Sequence, residues 1–305
     1  PVAKNGYLWW YVDAISDDGD QAFTMIVFVG SVFSPYYARA RRDQLQDAEQ
    51  HCAFNTILYG PRGKKRWSMT ERSARSLQRS RDSYRLGPSA MHWDGRQLTA
   101  EISEWCVPMP RKMSGRVTVT PSALTRHTVL LDDPGRHRWH PLAPIARVEV
   151  DFPGMGVRWS GDGYLDCNEG NEPLADGFVG WDWARLRMND DECTVRYETR
   201  PHMSQPRRLS LSFDSTGGMQ AIKPSDSRAL QTTGVWRIPR QVPSSSGYDD
   251  RLERTLEDTP FYARSLLRTA SDGQHGQGVH ESLCMNRFEQ PWVQTLLPFR
   301  MPRIR

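Results

Sequence analysis

Several kinds of protein are excluded by what this sequence lacks. It has only 5 cysteines in 305 residues, at Cys52, Cys106, Cys167, Cys193 and Cys284, with no Cys-x-x-Cys. An odd number at wide spacing argues against a disulfide framework and against structural zinc. A reducing, cytoplasmic compartment is the expectation. No run reaches the ~18 consecutive apolar residues of a membrane-crossing helix. The uncharged stretch from Gln21 to Ala38 comes nearest, but Gly30, Ser31, Ser34 and Pro35 interrupt it. It reads as a buried strand followed by a surface loop open to lipid contact. No Gly-x-Gly-x-x-Gly opens a helix, and Gly60-Pro61-Arg62-Gly63-Lys64-Lys65 lacks Walker A spacing, so a nucleotide cofactor is unsupported. The Gly-x-Ser-x-Gly elbow of a serine hydrolase is missing as well. The chain starts at Pro1 rather than Met, which leaves a removed targeting segment open.

Charge of either sign is nearly balanced: 40 Lys and Arg against 36 Asp and Glu, a net +4. The basic residues are not interleaved with a recognisable stacking platform, which disfavours nucleic acid. A mild positive bias suits an anionic membrane surface better. The basic cluster Arg62–Arg85 reads either as a solvated rim or as a headgroup contact. Aromatics, by contrast, are plentiful, with 11 Trp. Tryptophans in such number read as core or as pocket lining.

The hydrophobic period is that of strands. Thr24–Val29 is a short apolar run of the kind buried on both faces. Phe54–Tyr59, Arg66–Thr70, Gln97–Ile102, Arg116–Thr120, Arg147–Phe152, Val157–Leu165, Cys193–Glu198 and Leu209–Phe213 follow. Tight-turn residues such as Asp94-Gly95 and Pro153-Gly154-Met155-Gly156 join several of them. The fold class is therefore all-β, a sandwich or barrel, with a few short helices. Helices are predicted near Tyr36–Gln50 and Arg287–Leu297, and Thr70 is a candidate cap for Glu71–Gln78. Gln241–Tyr248 reads as surface loop. Pro141 and Pro144 suggest an extended connector between two domains, 1–143 and 144–305. A faint echo between the segments Gly6–Tyr11 and Gly177–Trp183 is consistent with two related halves.

Reactive side chains are densest between Gly135 and Gly170. On an extended Val157–Asp166, the residues Arg158, Ser160, Asp162, Tyr164 and Asp166 share one face, and Val157, Trp159 and Leu165 the other. His137 and Trp139 likewise share a face. The polar face has two readings. It is a solvated exterior, or it turns an acid and a phenol into an aromatic cavity, where desolvation would keep the acid protonated. Gly161 and Gly163 mark a bulge or a close approach. His137 and His140 fall on opposite faces of a strand with no third ligand nearby, so no metal is expected.

These segments also carry a likeness. WWYVDAISDDG, FVGSVFSPYYARARR, HCAFNTILYGP, GPSAMHWDG, GRHRWHPLAP, WSGDGYLDCNEGNEPLADGFVGWDWARLR, TLEDTPFYARSLL and VHESLCMNRF together resemble the carotenoid 1,2-hydratases over nearly the whole chain. The resemblance implies two lipocalin-like β domains. It implies cofactor-independent addition of water to the terminal 1,2 double bond of neurosporene, lycopene and related acyclic carotenes, giving a tertiary alcohol. In the family the acid is an aspartate that falls here on Asp166, accompanied by His137, Trp139 and Tyr164. On that basis Asp166 protonates the alkene, and His137 orients it or deprotonates the water. Trp159, Trp181 and Trp183 would line the substrate, Asp162 would hold the water, and the polyene would thread a long aromatic tunnel. The site is expected near the domain junction. The implied partners are the carotenoid, water and membrane lipid, at the inner photosynthetic membrane. A pigment carrier without chemistry, and a related polyene isomerase or cyclase, fit the same composition.

Overall fold

Strand periodicity becomes strand over most of the chain in the computed structural model, which describes residues 2–223, 226–244, 247–271 and 273–304. The first sheet is built from β1 (Tyr7–Ser16), β2 (Ala22–Val29), β3 (Cys52–Tyr59), β4 (Lys65–Arg72), β5 (Leu77–Arg79), β6 (Ser83–Leu86), β7 (Ser89–Trp93), β8 (Leu98–Trp105), β9 (Lys112–Pro121), β10 (Val129–Leu130), β11 (His137–Phe152) and β12 (Val157–Gly170). The second uses β13 (Phe178–Asn189), β14 (Glu192–Pro201), β15 (Arg207–Asp214), β16 (Met219–Ala221), then β19 (Asp249–Asp258), β20 (Tyr262–Ser271) and β21 (Gln274–Cys284). Between them in sequence, β17 (Ser227–Leu230) and β18 (Arg240–Pro243) form a separate two-stranded pair. A final short strand, β22 (Arg303–Ile304), returns to the first sheet and pairs parallel with β4. The first sheet runs β22-β4-β3-β2-β1-β12-β11-β9-β8-β7-β6-β5, with β10 attached to β11. The all-β expectation holds, and the lipocalin-like architecture with it.

The strand β12 sits between β1 and β11, at the centre of the first sheet. Its two faces do different work, because successive side chains alternate. Leu165 points into a core with Val12, Phe54, Val148 and Phe152. Tyr164 and Asp166 point the other way, toward the second sheet. There they join a cluster in which Trp9, Tyr11 and Trp139 of the first sheet meet Phe178, Trp181, Trp183 and Tyr197 of the second. Fully burying a large apolar side chain contributes about 1.5–3 kcal/mol, so this aromatic seam is a main bond between the sheets. Gly163 is a close approach: a Cβ there would lie 2.1 Å from Val148 Cγ2.

Several local expectations are corrected. The helix at Tyr36 is α1 (Pro35–Arg42), capped by Ser34, whose hydroxyl accepts from Tyr37 N at 2.9 Å. It stops well short of Gln50, because Gln44 takes a left-handed φ of 58°. Thr70 caps no helix; it lies inside β4. The helix near Arg287 is two pieces, α3 (Met285–Phe288) and α4 (Pro291–Arg300), the short α2 (Leu174–Gly177) having come before. Pro291 fills the first turn of α4, where its missing N–H costs nothing. Residues 143 and 144 lie within β11, which runs through both prolines with bulges between His140, Ala143 and Ala146. The chain passes from the first sheet to the second between Gly170 and Phe178. Of the stretch read as loop at Gln241–Tyr248, Gln241 to Pro243 is strand, and residues 245–246 lie outside those described. Among the described residues no helix is long and apolar enough to cross a membrane.

Candidate active site

Asp166 lies between the two sheets and is 3% exposed. The polar face of β12 is thus divided: Arg158 is exposed at one end, and Tyr164 and Asp166 are buried at the other. Every hydrogen bond Asp166 receives from a side chain comes from a neutral donor. Trp139 Nε1 donates to Oδ2 at 2.8 Å and the Tyr164 hydroxyl donates to the same oxygen at 2.9 Å. Asn168 Nδ2 reaches Oδ1 at 3.4 Å. Burial pushes the Asp166 carboxyl up to about 8. The bonds from Trp139 and Tyr164 pull the other way, and the negative charges of Glu281 and Asp13 add to the rise. Near neutral pH this is a carboxylic acid that keeps its proton.

The register of the strands sets the surroundings. Tyr11 is the cross-strand partner of Asp166, and Trp9 that of Asn168. Across the seam Trp183 pairs with Glu281 on one side and Tyr197 on the other. Together with Trp181 these residues line a cavity of about 40 Å³. That is room for a water molecule and not for an isoprenoid end, so the long aromatic tunnel that the resemblance implies is not open at this point. Two of the lining residues carry a buried polar atom, Trp183 Nε1 and Asn168 Oδ1, that has no partner among the described residues.

Two buried ion pairs flank the cavity. Arg185 Nε donates to Asp13 Oδ1 at 2.8 Å, and its Nη1 also holds Asp162. Arg264 donates to Glu281 Oε1 from Nε at 2.9 Å and from Nη2 at 2.6 Å. The Tyr11 hydroxyl stands 2.7 Å from Glu281 Oε1 and 3.0 Å from Asp13 Oδ2, and its one proton serves one of them at a time.

Residues 25–305 match the family model described as carotenoid hydratase CrtC. The chain belongs to the carotenoid hydratase family. It is 46% identical over 303 residues to the acyclic carotenoid 1,2-hydratase of Thiocapsa roseopersicina, covering 99% of this chain and 74% of that one. With the acyclic carotenoid 1,2-hydratase of Rubrivivax gelatinosus it shares 48% over 305 residues, covering 99% and 75%. Among solved structures, an AttH protein of Nitrosomonas europaea superposes with a TM-score of 0.63 at 15% identity, covering 92% of both chains. CghA with Sch210972 does so with a TM-score of 0.53 at 12% identity, covering 92% of this chain and 88% of that one. At such identities the likeness is one of fold.

Within this carotenoid hydratase chain the residues named from sequence separate into two groups. Asp166, Trp139, Tyr164, Trp181 and Trp183 come together at the cavity or against the acid. His137 does not touch Asp166. Its Nδ1 lies 2.8 Å from the Tyr7 hydroxyl and its Nε2 3.2 Å from Glu172 Oε1, and its ring packs on Phe178. Burial holds its pKa below the usual imidazole value, against the pull of Asp132 and Glu172. It is one ring removed from the cavity, because Tyr7 stacks on Trp9 at 4.8 Å. Asp162 is bound to Arg185 and opens on a different cavity, of about 640 Å³. Trp159 packs on the opposite face of the first sheet with the core around Leu165. Trp9, Tyr11, Asn168, Tyr197 and Glu281 were missed by the sequence reading. The alternation of Trp9 and Tyr11 on one strand, and the echo of that segment at Trp181 and Trp183, was the available signal: both echo segments wall the same cavity.

Proposed function

We propose that this protein adds water across the terminal 1,2 double bond of an acyclic carotenoid such as neurosporene or lycopene, with Asp166 as the acid and no cofactor. What carries the reading is a carboxyl group buried among aromatics with no cation against it. An isolated alkene is a poor base and needs a strong, well-placed acid. Asp166 gives its proton to the less substituted carbon, and a tertiary carbocation forms at the neighbour. The faces of Trp9, Trp181 and Trp183 stabilise that cation by up to about 2 kcal/mol each. Water captures it, and the product is a tertiary alcohol. His137 acts at one remove, holding Tyr7 and through it Trp9.

The path of the polyene tail belongs to the same proposal. From Trp9 an aromatic file continues to Phe28 at 6.1 Å, then to Phe33 at 6.1 Å, and from there to Phe288 at 5.8 Å and Phe261 at 5.9 Å. It ends beside α3 and α4. There Trp292, Leu296 and Phe299 are exposed, with Arg287 and Arg300 on the same segment. This supports peripheral contact with the cytoplasmic face of the inner photosynthetic membrane, from which the tail would enter by displacing side chains along the file.

Replacing Asp166 by Asn tests the reading, with folding checked by circular dichroism and conversion of lycopene and neurosporene followed chromatographically without added cofactor. A loss of about 10³-fold is expected; turnover near wild type rejects Asp166 as the acid. Product from the unsubstituted protein should carry one oxygen from labelled water. Unchanged pigment would mean a carrier, and a mass-neutral product an isomerase or cyclase.

A further inference from the structure

A hydration is only half described by its acid. The water that captures the cation must also give up a proton, and the site needs a group to receive it. Asp13 is ruled out by position: it is held by Arg185 and does not reach the wall of the cavity beside Asp166. His137 is excluded too, since both ring nitrogens are engaged away from that wall.

One other carboxyl group does face the cavity. Glu281, on β21, comes from the second sheet, while Asp166 comes from the first. Its Oε1 takes all three of its close hydrogen bonds, from Tyr11 and from two nitrogens of Arg264. Oε2 receives no bond from Tyr11 or Arg264, and the Tyr262 phenol lies beside the carboxylate. Arg264 is 1% exposed in its side chain, and a guanidinium so buried requires a negative partner. Glu281 supplies that charge. Two carboxyl groups thus line one small space, one paired with a cation and the other with neutral donors only. Asn168 and Trp183, which also line the space, each carry a buried polar atom without a partner among the described residues, Oδ1 and Nε1.

We infer that Glu281 is the base that deprotonates the attacking water. The inference rests on the reading of Asp166 as the acid. The O–H bond of Asp166 breaks as a C–H bond forms at the less substituted carbon. The water oxygen forms a bond to the tertiary cation, and its departing proton goes to Glu281. Asp166 is then a carboxylate and Glu281 an acid. A proton passed back from Glu281 to Asp166 through a second water restores both, and the sum is alkene plus water to alcohol. Tyr11 and Arg264 are positioning residues that hold the base.

Running the reaction in deuterated water separates acid from base. In Glu281→Gln the cation still forms but is not captured, so it returns to alkene. Hydration should fall by 10²-fold or more, while recovered carotenoid gains deuterium at the protonated carbon. Asp166→Asn should show neither product nor exchange. Hydration by a folded Glu281→Gln within a few-fold of wild type overturns the assignment. So does loss of hydration and exchange together in Glu281→Gln, since that is the pattern of a structural role. Should Glu281→Gln fail to fold, Glu281→Asp decides, because it keeps a carboxylate for Arg264. A higher ratio of exchange to hydration than in wild type is expected, and an unchanged ratio overturns the inference. An active Asp166→Asn would sink the acid reading instead, so the two failures are distinguishable.

Discussion

Asp13 and Asp166 stand on adjacent strands, point to the same seam, and are both buried, at 0% and 3% exposure. Burial raises the pKa of both. The difference lies in what meets them. Asp13 faces the guanidinium of Arg185, which lowers its pKa against that rise without cancelling it. Asp166 meets an indole N–H, a phenol and a carboxamide. Depth of burial alone therefore does not make an acid catalyst. A buried carboxyl group with a cation becomes half of an ion pair, and one without a cation keeps its proton.

The comparison can be broken most forcefully from the Asp13 side. Asp13→Asn leaves Arg185 short of a buried counter-charge, and a loss of about 3–5 kcal/mol in stability is expected from urea unfolding. Asp13→Asn combined with Arg185→Met should recover much of it, since the uncompensated charge is then gone. Equal stability of the single and double variants would mean that Asp162 already neutralises Arg185.

An effect of similar size, spread over several pH units, sharpens the contrast from the Asp166 side. Its folded pKa of about 8 lies above the ordinary 3.8, so between those values the folded chain holds a proton that the unfolded chain releases. The stability this group contributes is full below about pH 4 and is lost as pH rises through about 8. The slope is at most about 1.4 kcal/mol per pH unit. Unfolding of wild type and Asp166→Asn across pH 5 to 8 should show that slope in the difference between them. Turnover should fall above about pH 8, where the acid ionises. A difference that does not vary with pH would mean Asp166 is ionised in the fold.

The smallest expected effects compare two tryptophans. Trp139→Phe removes an N–H that favours the ionised form of Asp166, so the alkaline limb of the rate profile should move upward, with turnover down about 10-fold from poorer orientation of the acid. Trp159→Phe, on the other face of the sheet, should change turnover less than about two-fold. Equal effects would show that side of the sheet to matter little.

The legibility of this molecule in its sequence follows from its periodicities. Alternation along Val157–Asp166 placed Asp166 and Tyr164 on one face and Leu165 on the other, and the structure agrees. The same pattern did not say that Arg158 and Asp166, sharing a face, lie at its wet and dry ends, because burial is decided by what another sheet covers. His137 and Trp139 were placed on one face, yet only Trp139 reaches the acid; the ring of His137 is captured by Tyr7 and Glu172. Glu281 lies 115 positions from Asp166 in sequence, and no local spacing connects a β21 residue to β12. A helix end was misread where one residue decides it, at Gln44; the irregularity expected at Pro291 is a break between α3 and α4. Prolines 141 and 144 resembled a connector, but bulges absorb them within a single strand.

The cavity has one wall from each sheet, and this ties chemistry to folding more tightly than a site on one sheet would. If the sheets part by even the width of a water layer, solvent floods the seam and Asp166 surrenders its proton at neutral pH. A loosened chain would thus be chemically silent while most of its strands were still intact. On the proposed mechanism, partly assembled molecules would thereby be kept from generating reactive cations that they cannot guide to alcohol.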